Sequence, residues 1–188
     1  PPTPAGWVGV DGYPRTLYCF RHPEICATTR KEDTVAESTR LMLTMADLAG
    51  STGRTFGPSS WRQITQDEVD LFARVTGDDN PIHLDADVAA ATPFGTRIAH
   101  GLLTLSLVVP LMAEVFEVED AGMGINYGLN RVRFPAPVPV GSRIRVSGEV
   151  RTASEVAGGV QIEVPVTFEV EDAAKPACVA ELVLRYYH

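Results

Sequence analysis

The feature that most constrains the fold is a run near the C-terminus in which apolar and polar side chains alternate without a break. The apolar members are Val160, Ile162, Val164, Val166, Phe168 and Val170. Successive side chains of a β-strand point to opposite faces of a sheet, so this pattern predicts a strand with one buried face. Residues 144–150 and 178–186 show the same alternation, and glycine or polar residues at 158–159 and 172–176 predict the hairpin turns between strands.

A long apolar segment precedes these strands. Residues 101–118 are apolar on nearly every side of a helix, which predicts one buried helix that Pro110 kinks. A single sheet wrapped around that helix would bury the apolar surface of both. The sequence therefore predicts an α+β fold. Pro165 has no backbone N–H to donate, so it predicts an outer edge or a bulge at its place in the sheet.

Shorter elements are predicted upstream. Thr65 and Glu68 have the spacing of a capping box, at the start of a helix that runs to about residue 76. The pattern also predicts a helix over 41–48, a short strand over 61–64 and a short helix over 85–91. Residues 1–40 show no sustained apolar period, so we interpret them as a loosely ordered N-terminal extension and 41–188 as the domain.

Composition excludes several classes of function. The formal net charge is −8, and an acidic chain repels nucleic-acid phosphates, so we expect no nucleic-acid partner. The apolar run at 102–113 is too short to span a bilayer, so no membrane insertion is expected. Residues 1–12 do not have the pattern of a signal peptide, and we expect a cytoplasmic protein.

The three cysteines do not form a recognisable framework. An odd, sparse set is not typical of a secreted disulfide-bonded domain. Cys19, His22 and Cys26 together offer only three ligands, whereas structural zinc usually has four, so we expect no metal there.

A polar loop lies between the predicted helix that ends near residue 76 and the predicted short helix over 85–91. Residues 77–83 have the sequence GDDNPIH. Ordinary turn chemistry accounts for much of this composition, since Gly, Asp, Asn and Pro all favour turns. However, Pro81 restricts the loop, and a carboxylate with an imidazole is a common pair for proton transfer near neutral pH. Asp78 and His83 are therefore candidate catalytic residues.

Three segments carry a resemblance to a known family. They are FARVTGDDNPIHLDADVAAA at 72–91, PFGTRIAHGLLTLSL at 93–107 and NYGLNRVRFPAPVPVGSRI at 126–144. The first is similar to the hydratase 2 motif of the MaoC-like dehydratases and (R)-specific enoyl-CoA hydratases, which have the hotdog fold. The resemblance covers about residues 45–188 and implies an antiparallel sheet around a central long helix.

The resemblance also implies a mechanism. Asp78 and His83 would hold one water that adds to C3 of a trans-2-enoyl thioester, giving an (R)-3-hydroxyacyl thioester. Asn80 would fix the loop and orient the water, and the Gly101 N–H would hold the thioester oxygen. Which member of the Asp78–His83 pair is the formal base stays open. No cofactor is implied, because water is the co-substrate.

Several other residues have two alternative interpretations each. Some relatives orient the aspartate with a serine on the central helix, but Val109 stands there, so Ser106 or the backbone would take that role. Leu102, Leu103, Asn126 and Tyr127 are candidates to line an acyl tunnel, with core packing as the alternative for the two leucines. Arg131 and Arg133 either bind coenzyme A phosphates or lie solvated on their strand. His100 either contacts a ligand or satisfies hydrogen bonds in its turn.

Three classes of function are weighed. The leading one is a hydro-lyase acting on acyl thioesters of coenzyme A or of acyl carrier protein. A hotdog thioesterase would generally have a carboxylate on the central helix and lack the loop motif. A non-catalytic acyl-binding chain would be expected to lose Asp78 or His83. Because a single sheet of this type leaves one face uncovered, we expect a homodimer.

Overall fold

The structure is a computed structural model that describes residues 38–188. Cys19, His22, Cys26 and most of the predicted extension lie outside the described residues. The strands are β1 (Leu41–Leu43), β2 (Thr55–Phe56), β3 (Arg62–Gln63), β4 (Phe116–Val118), β5 (Met123–Arg133), β6 (Arg143–Glu149), β7 (Thr152–Val156), β8 (Gly159–Val170) and β9 (Cys178–Tyr187). The helices are α1 (Met45–Leu48), α2 (Gln66–Thr76), α3 (Pro81–Leu84), α4 (Ala86–Ala90), α5 (Gly101–Ser106) and α6 (Val108–Ala113).

One antiparallel sheet dominates the domain. Its strands lie in the order β2-β6-β8-β9-β5, with β3 also paired to β6 and β7 also paired to β8. Helix α5 packs on β9 and α6 packs on β6, so the sheet encloses the helical segment. The predicted α+β architecture is confirmed. A separate parallel pair joins β1 to β4.

Strand β8 confirms the alternation that predicted it. Every second residue from Val160 to Val170 is buried, and the side chains of Ile162, Val164 and Phe168 are fully inaccessible. Pro165, however, lies in an interior strand, so its expected place at an outer edge is wrong. The neighbouring β7 pairs with β8 only up to Glu163 and β6 only from Val166. Pro165 falls in the gap between them, where no ladder hydrogen bond needs its N–H.

The predicted helix over 101–118 is shorter and broken. It consists of α5 and α6, which meet at Leu107, and residues 116–118 form strand β4. Pro110 has no N–H for the Ser106 carbonyl, which accounts for a break one turn before it. Burial is also one-sided. Leu111 is fully buried, whereas Leu102 is 61% and Val109 is 56% exposed.

The upstream predictions have mixed outcomes. The Thr65–Glu68 capping box is confirmed, with each side chain bonded to the other residue's backbone N–H. The helix expected over 41–48 is wrong in its first half, because Leu41–Leu43 form β1 and only Met45–Leu48 are helical. Thr39 forms an isolated antiparallel bridge with Gly57, so the ordered chain already contacts the domain at that point. Within residues 38–188, no helix has the length and apolarity needed to cross a membrane.

Candidate active site

The loop between α2 and α3 and the first turn of α3 carry the two predicted catalytic residues. Gly77 ends α2 with a φ of 76°, in the left-handed region that glycine adopts at no steric cost. Asn80 caps α3, since its side-chain oxygen accepts a hydrogen bond of 3.2 Å from the Ile82 N–H. Pro81 occupies the first helical position, where a missing N–H costs nothing. Local turn chemistry therefore places Asp78 before α3 and His83 within it.

His83 is held by backbone on the buried side of the loop. It is 7% exposed, and its Nδ1–H donates a 2.7 Å hydrogen bond to the Ile98 carbonyl. Because a carbonyl only accepts, this bond assigns the proton to Nδ1 and leaves the Nε2 lone pair free in the neutral ring. The Gln66 side chain also donates to the His83 carbonyl, at 3.0 Å.

Burial lowers the pKa of His83 below its ordinary value of 6.5. The hydrogen bond to Ile98 acts in the opposite direction, His100 acts with burial, and the charge of Asp78 opposes it. Desolvation penalises the charged form of an imidazole, so His83 is neutral near pH 7. A neutral ring with a free Nε2 can accept a proton from a water molecule.

Asp78 lies on the exposed side of the loop, close to His83. One carboxylate oxygen of Asp78 and one ring nitrogen each of His83 and His100 lie within 4.8 Å of one another. Two hydrogen bonds of about 2.8 Å each allow one water to bridge groups at this separation. The loop therefore brings together the two predicted residues at a distance that suits a shared water.

The backbone N–H and the backbone carbonyl of Asp78 both form hydrogen bonds. The Thr76 hydroxyl lies 3.3 Å from the Asp78 N–H, which donates to it. The Asp78 carbonyl accepts a 3.0 Å hydrogen bond from the Nε2–H of His100. Ser106, one possible substitute for the serine of relatives, instead donates to the Leu102 carbonyl in its own helix, at 2.8 Å. The alternative of a backbone-oriented aspartate is the one that this geometry favours.

Gly101 is the first residue of α5, next to the loop. The first N–H groups of a helix have no partner within it, so the Gly101 N–H is suited to bind an oxygen. A Cβ on Gly101 would lie 3.1 Å from the ring of Phe134, which is tighter than an ordinary contact. The ring of Phe134 thus covers one side of this residue.

The predicted substrate-binding residues are spread over α5 and β5. Leu102 and Tyr127 are largely exposed, and the Arg185 guanidinium lies 3.4 Å from the centroid of the Tyr127 ring. Arg131 and Arg133 are exposed on β5, and Arg133 donates to the Val132 carbonyl at 2.7 Å. Core packing, the alternative for Leu102, is therefore wrong, since this side chain is 61% exposed.

A cavity of about 200 Å³ lies between α6 and the sheet. Val108, Val109, Met112, Phe116, Leu182, Leu184 and Tyr186 give it a mainly apolar wall, to which Asn126 contributes a polar group. Of the residues predicted to line an acyl tunnel, Asn126 is the one that lines this cavity.

Asp78, His83 and His100 also form a group that could offer three ligands to a metal ion. The two imidazole rings lie against each other, with centroids 3.8 Å apart and planes inclined by 32°. One nitrogen of each ring already donates to a backbone carbonyl, so each neutral ring has one nitrogen left as an acceptor.

The sequence interpretation missed the part that His100 has in this site. His100 is 2% exposed, lies against both His83 and the Asp78 carbonyl, and has Phe72 on another side at 5.0 Å between ring centroids. Its position before Gly101 gives no signal of these contacts, because they join residues more than fifteen positions apart.

The chain is similar to known proteins over most of its length. The family model described as "MaoC like domain" matches residues 47–172. The 3-hydroxyacyl-thioester dehydratase Z of Mycobacterium tuberculosis is 51% identical over 148 residues, which cover 78% of this chain and 98% of that protein. The (R)-specific enoyl-CoA hydratase of Rhodospirillum rubrum is 34% identical over 114 residues, covering 54% of this chain and 76% of the hydratase.

A solved structure supports the same assignment. The R-hydratase PhaJ1 of Pseudomonas aeruginosa, in its unliganded form, superimposes with a TM-score of 0.60 at 30% identity, covering 78% of this chain and 86% of that one. The family match spans more than half of the chain. The chain therefore belongs to the MaoC-like dehydratase family and has its hotdog fold.

Proposed function

We propose that this protein is a hydro-lyase that reversibly adds water to trans-2-enoyl thioesters, giving (R)-3-hydroxyacyl thioesters. The observation that carries the proposal is the Asp78–His83 pair, which lies within 4.8 Å beside the start of α5. The family assignment and the names of the relatives, which are dehydratases and hydratases, support the same class of reaction.

In the proposed mechanism, one water lies between the Asp78 carboxylate and Nε2 of His83. The free lone pair of Nε2 accepts a proton as the water oxygen attacks C3 of the enoyl group. Negative charge develops on the thioester oxygen, and the Gly101 N–H donates to it. A proton then returns to C2 from the same side, which gives the syn product. Asn80, as the cap of α3, holds the loop in place.

The substrate is an acyl thioester of coenzyme A or of acyl carrier protein. The apolar cavity of about 200 Å³ beside α6 has the predicted tunnel residue Asn126 in its wall, so we propose that it receives part of the acyl chain. Arg131 and Arg133 remain candidates for the phosphates of the carrier. Arg131 also lies near Glu181, whose pKa is lowered by the Asn130 hydrogen bond and then by Arg151 and Arg131.

We also propose a homodimer and a cytoplasmic location. Strand β5 is an edge strand of the sheet within residues 38–188, and ten of its eleven residues are exposed. Long exposed edges and apolar patches are usually covered by a partner. Sedimentation of a monomer alone at assay concentration would exclude the dimer. The odd number of cysteines supports a reducing compartment.

The test is the loss of enoyl-thioester absorbance when the protein is mixed with crotonyl-CoA. Asp78→Asn and His83→Ala are expected to lower the rate by about 10²–10⁴, the usual contribution of a positioned acid or base. Asp79→Asn is the matched control, since Asp79 is an exposed acid in the same loop. Release of free thiol without hydration would instead indicate a thioesterase.

A further inference from the structure

His100 occupies an unusual position for a residue that only completes a turn. Its side chain is among the fully buried ones of the domain, and its Nε2–H donates to the Asp78 carbonyl. Its ring is stacked on that of His83. One buried imidazole therefore contacts both members of the proposed catalytic pair. Its residue also directly precedes Gly101 in the chain.

Packing alone does not explain an imidazole at this position. Since the proton of His100 is on Nε2, its Nδ1 is an acceptor, and this Nδ1 is buried without a hydrogen-bond partner within residues 38–188. A buried acceptor without a partner destabilises a fold. A phenylalanine would avoid this cost, but its ring is larger and it cannot donate to the Asp78 carbonyl. The imidazole is thus the aromatic side chain that both fits here and directs an N–H at Asp78.

We propose that His100 is a positioning residue for the hydration reaction. Its Nε2–H fixes the Asp78 peptide, and hence the direction of the carboxylate, while its ring fixes the plane of the His83 imidazole. This inference rests on the proposed function. It also accounts for the departure at Val109, because Asp78 is oriented through its backbone and does not need a hydroxyl from the central helix.

Few groups other than His100 contact the His83 ring and could hold its plane. The Ile98 carbonyl holds the Nδ1 edge of the ring. His100 lies against the face of the ring, with the two centroids 3.8 Å apart, so it limits how far the imidazole can tilt. The groups that act on the ionisation of His83 are the Ile98 carbonyl, His100 and Asp78.

Two substitutions separate the contributions of the donor and the ring. His100→Phe keeps an aromatic ring against His83 but removes the donor to Asp78. His100→Gln places an amide N–H at a reach similar to Nε2 but removes the ring. Thr104→Val is the matched control. The Thr104 hydroxyl donates to the His100 carbonyl at 3.3 Å, and this bond involves neither Asp78 nor His83.

The measurements are kcat, KM and their pH profile with crotonyl-CoA, together with thermal unfolding. We expect His100→Phe to lower Tm by a few degrees, about 2–4 °C per kcal/mol of overpacking, and to stay folded at the assay temperature. It should nevertheless lose at least about tenfold in kcat with little change in KM, as for a misplaced catalytic group. His100→Gln should recover part of that kcat, and its acidic limb should move to higher pH because the influence of His100 on His83 is gone. Thr104→Val should keep the native profile.

A kcat and pH profile of His100→Phe equal to those of the native protein would overturn the proposal. So would a kcat loss that merely follows a loss of folded protein. A readout independent of activity is the nitrogen–proton spectrum of the histidine rings, in which the His83 signals are expected to shift in His100→Phe and stay in Thr104→Val. If the native protein hydrates no enoyl thioester, the proposed function fails, and unchanged His83 signals in His100→Phe would separately reject the positioning contact.

Discussion

Gly101→Ala offers a sharp test of how the thioester oxygen is bound. The backbone at Gly101 is not in the left-handed region, so alanine meets no conformational strain there. The added Cβ would lie 3.1 Å from the Phe134 ring, which must move by a few tenths of an ångström. Phe134 is 42% exposed, so it has room to tilt.

These contacts set the expected loss of stability in Gly101→Ala. Overpacking a core costs roughly 1–3 kcal/mol, and a half-exposed ring places this change near the lower limit, about 1 kcal/mol. For a chain of this size that is a fall of about 2–4 °C in Tm. A native stability of about 5–15 kcal/mol leaves nearly all of the variant folded. Unfolding therefore cannot produce a large loss of activity.

Catalysis should respond far more strongly. The methyl group stands beside the N–H that is proposed to bind the thioester oxygen, and loss of one such donor costs about 10²–10³ in kcat. We expect kcat with crotonyl-CoA to fall about 100-fold. The double variant Gly101→Ala with Phe134→Leu should recover Tm but not kcat. A single variant within threefold of the native kcat would refute the assignment of Gly101, and full recovery of kcat in the double variant would mean that only the ring matters.

The described contacts give four further predictions. Because burial lowers the pKa of His83 below 6.5, the hydration rate should stay level as pH falls through 6.5 and decline only below it; a rate that halves above pH 6.5 would contradict this. The lowered pKa of His83 also makes stability depend on pH. As pH falls, the unfolded state takes up the proton before the folded state does, so His83 leaves Tm unaffected above pH 6.5 and lowers it below that pH. Met112→Ala enlarges the cavity beside α6, so kcat/KM for an eight-carbon enoyl thioester should rise relative to crotonyl-CoA, at a stability cost of about 2–5 kcal/mol; an unchanged ratio would exclude the cavity as the acyl site. Thr65→Ala removes the cap of α2 and should cost about 0.5–2 kcal/mol by urea unfolding while leaving kcat near the native value.

Local patterns were sufficient to predict much of the fold. The alternation in β8 and the capping box of α2 depend on residues close in sequence, and both are confirmed. The errors arise where distant residues decide. Leu41 pairs with Phe116 across the fold, so tertiary pairing overrides the helical spacing of 41–48. Pro165 is tolerated in an interior strand because two neighbouring strands end opposite it, which its own sequence context does not indicate.

The same distinction applies to the candidate site. Asp78, Asn80 and His83 share one loop, so their proximity is a local property that the motif makes visible. The hydrogen bond from His83 to Ile98 and the contact of Gly101 with Phe134 join separate segments. No spacing rule predicts them. The protonated nitrogen of His83 could therefore be assigned only from the structure, together with the free Nε2 that the proposed mechanism requires.

Val109 shows how the surroundings change the meaning of one substitution. The family resemblance implies a serine in some relatives at the position of Val109, where a valine would be harmful if the aspartate depended on that hydroxyl. Here the Asp78 N–H donates to Thr76 and the Asp78 carbonyl accepts from His100, so the peptide on both sides of the side chain is already fixed. Val109 is then free to form part of the apolar cavity wall. A hydroxyl there would lie on an apolar surface without improving the orientation of Asp78, so the valine is consistent with an intact catalytic pair.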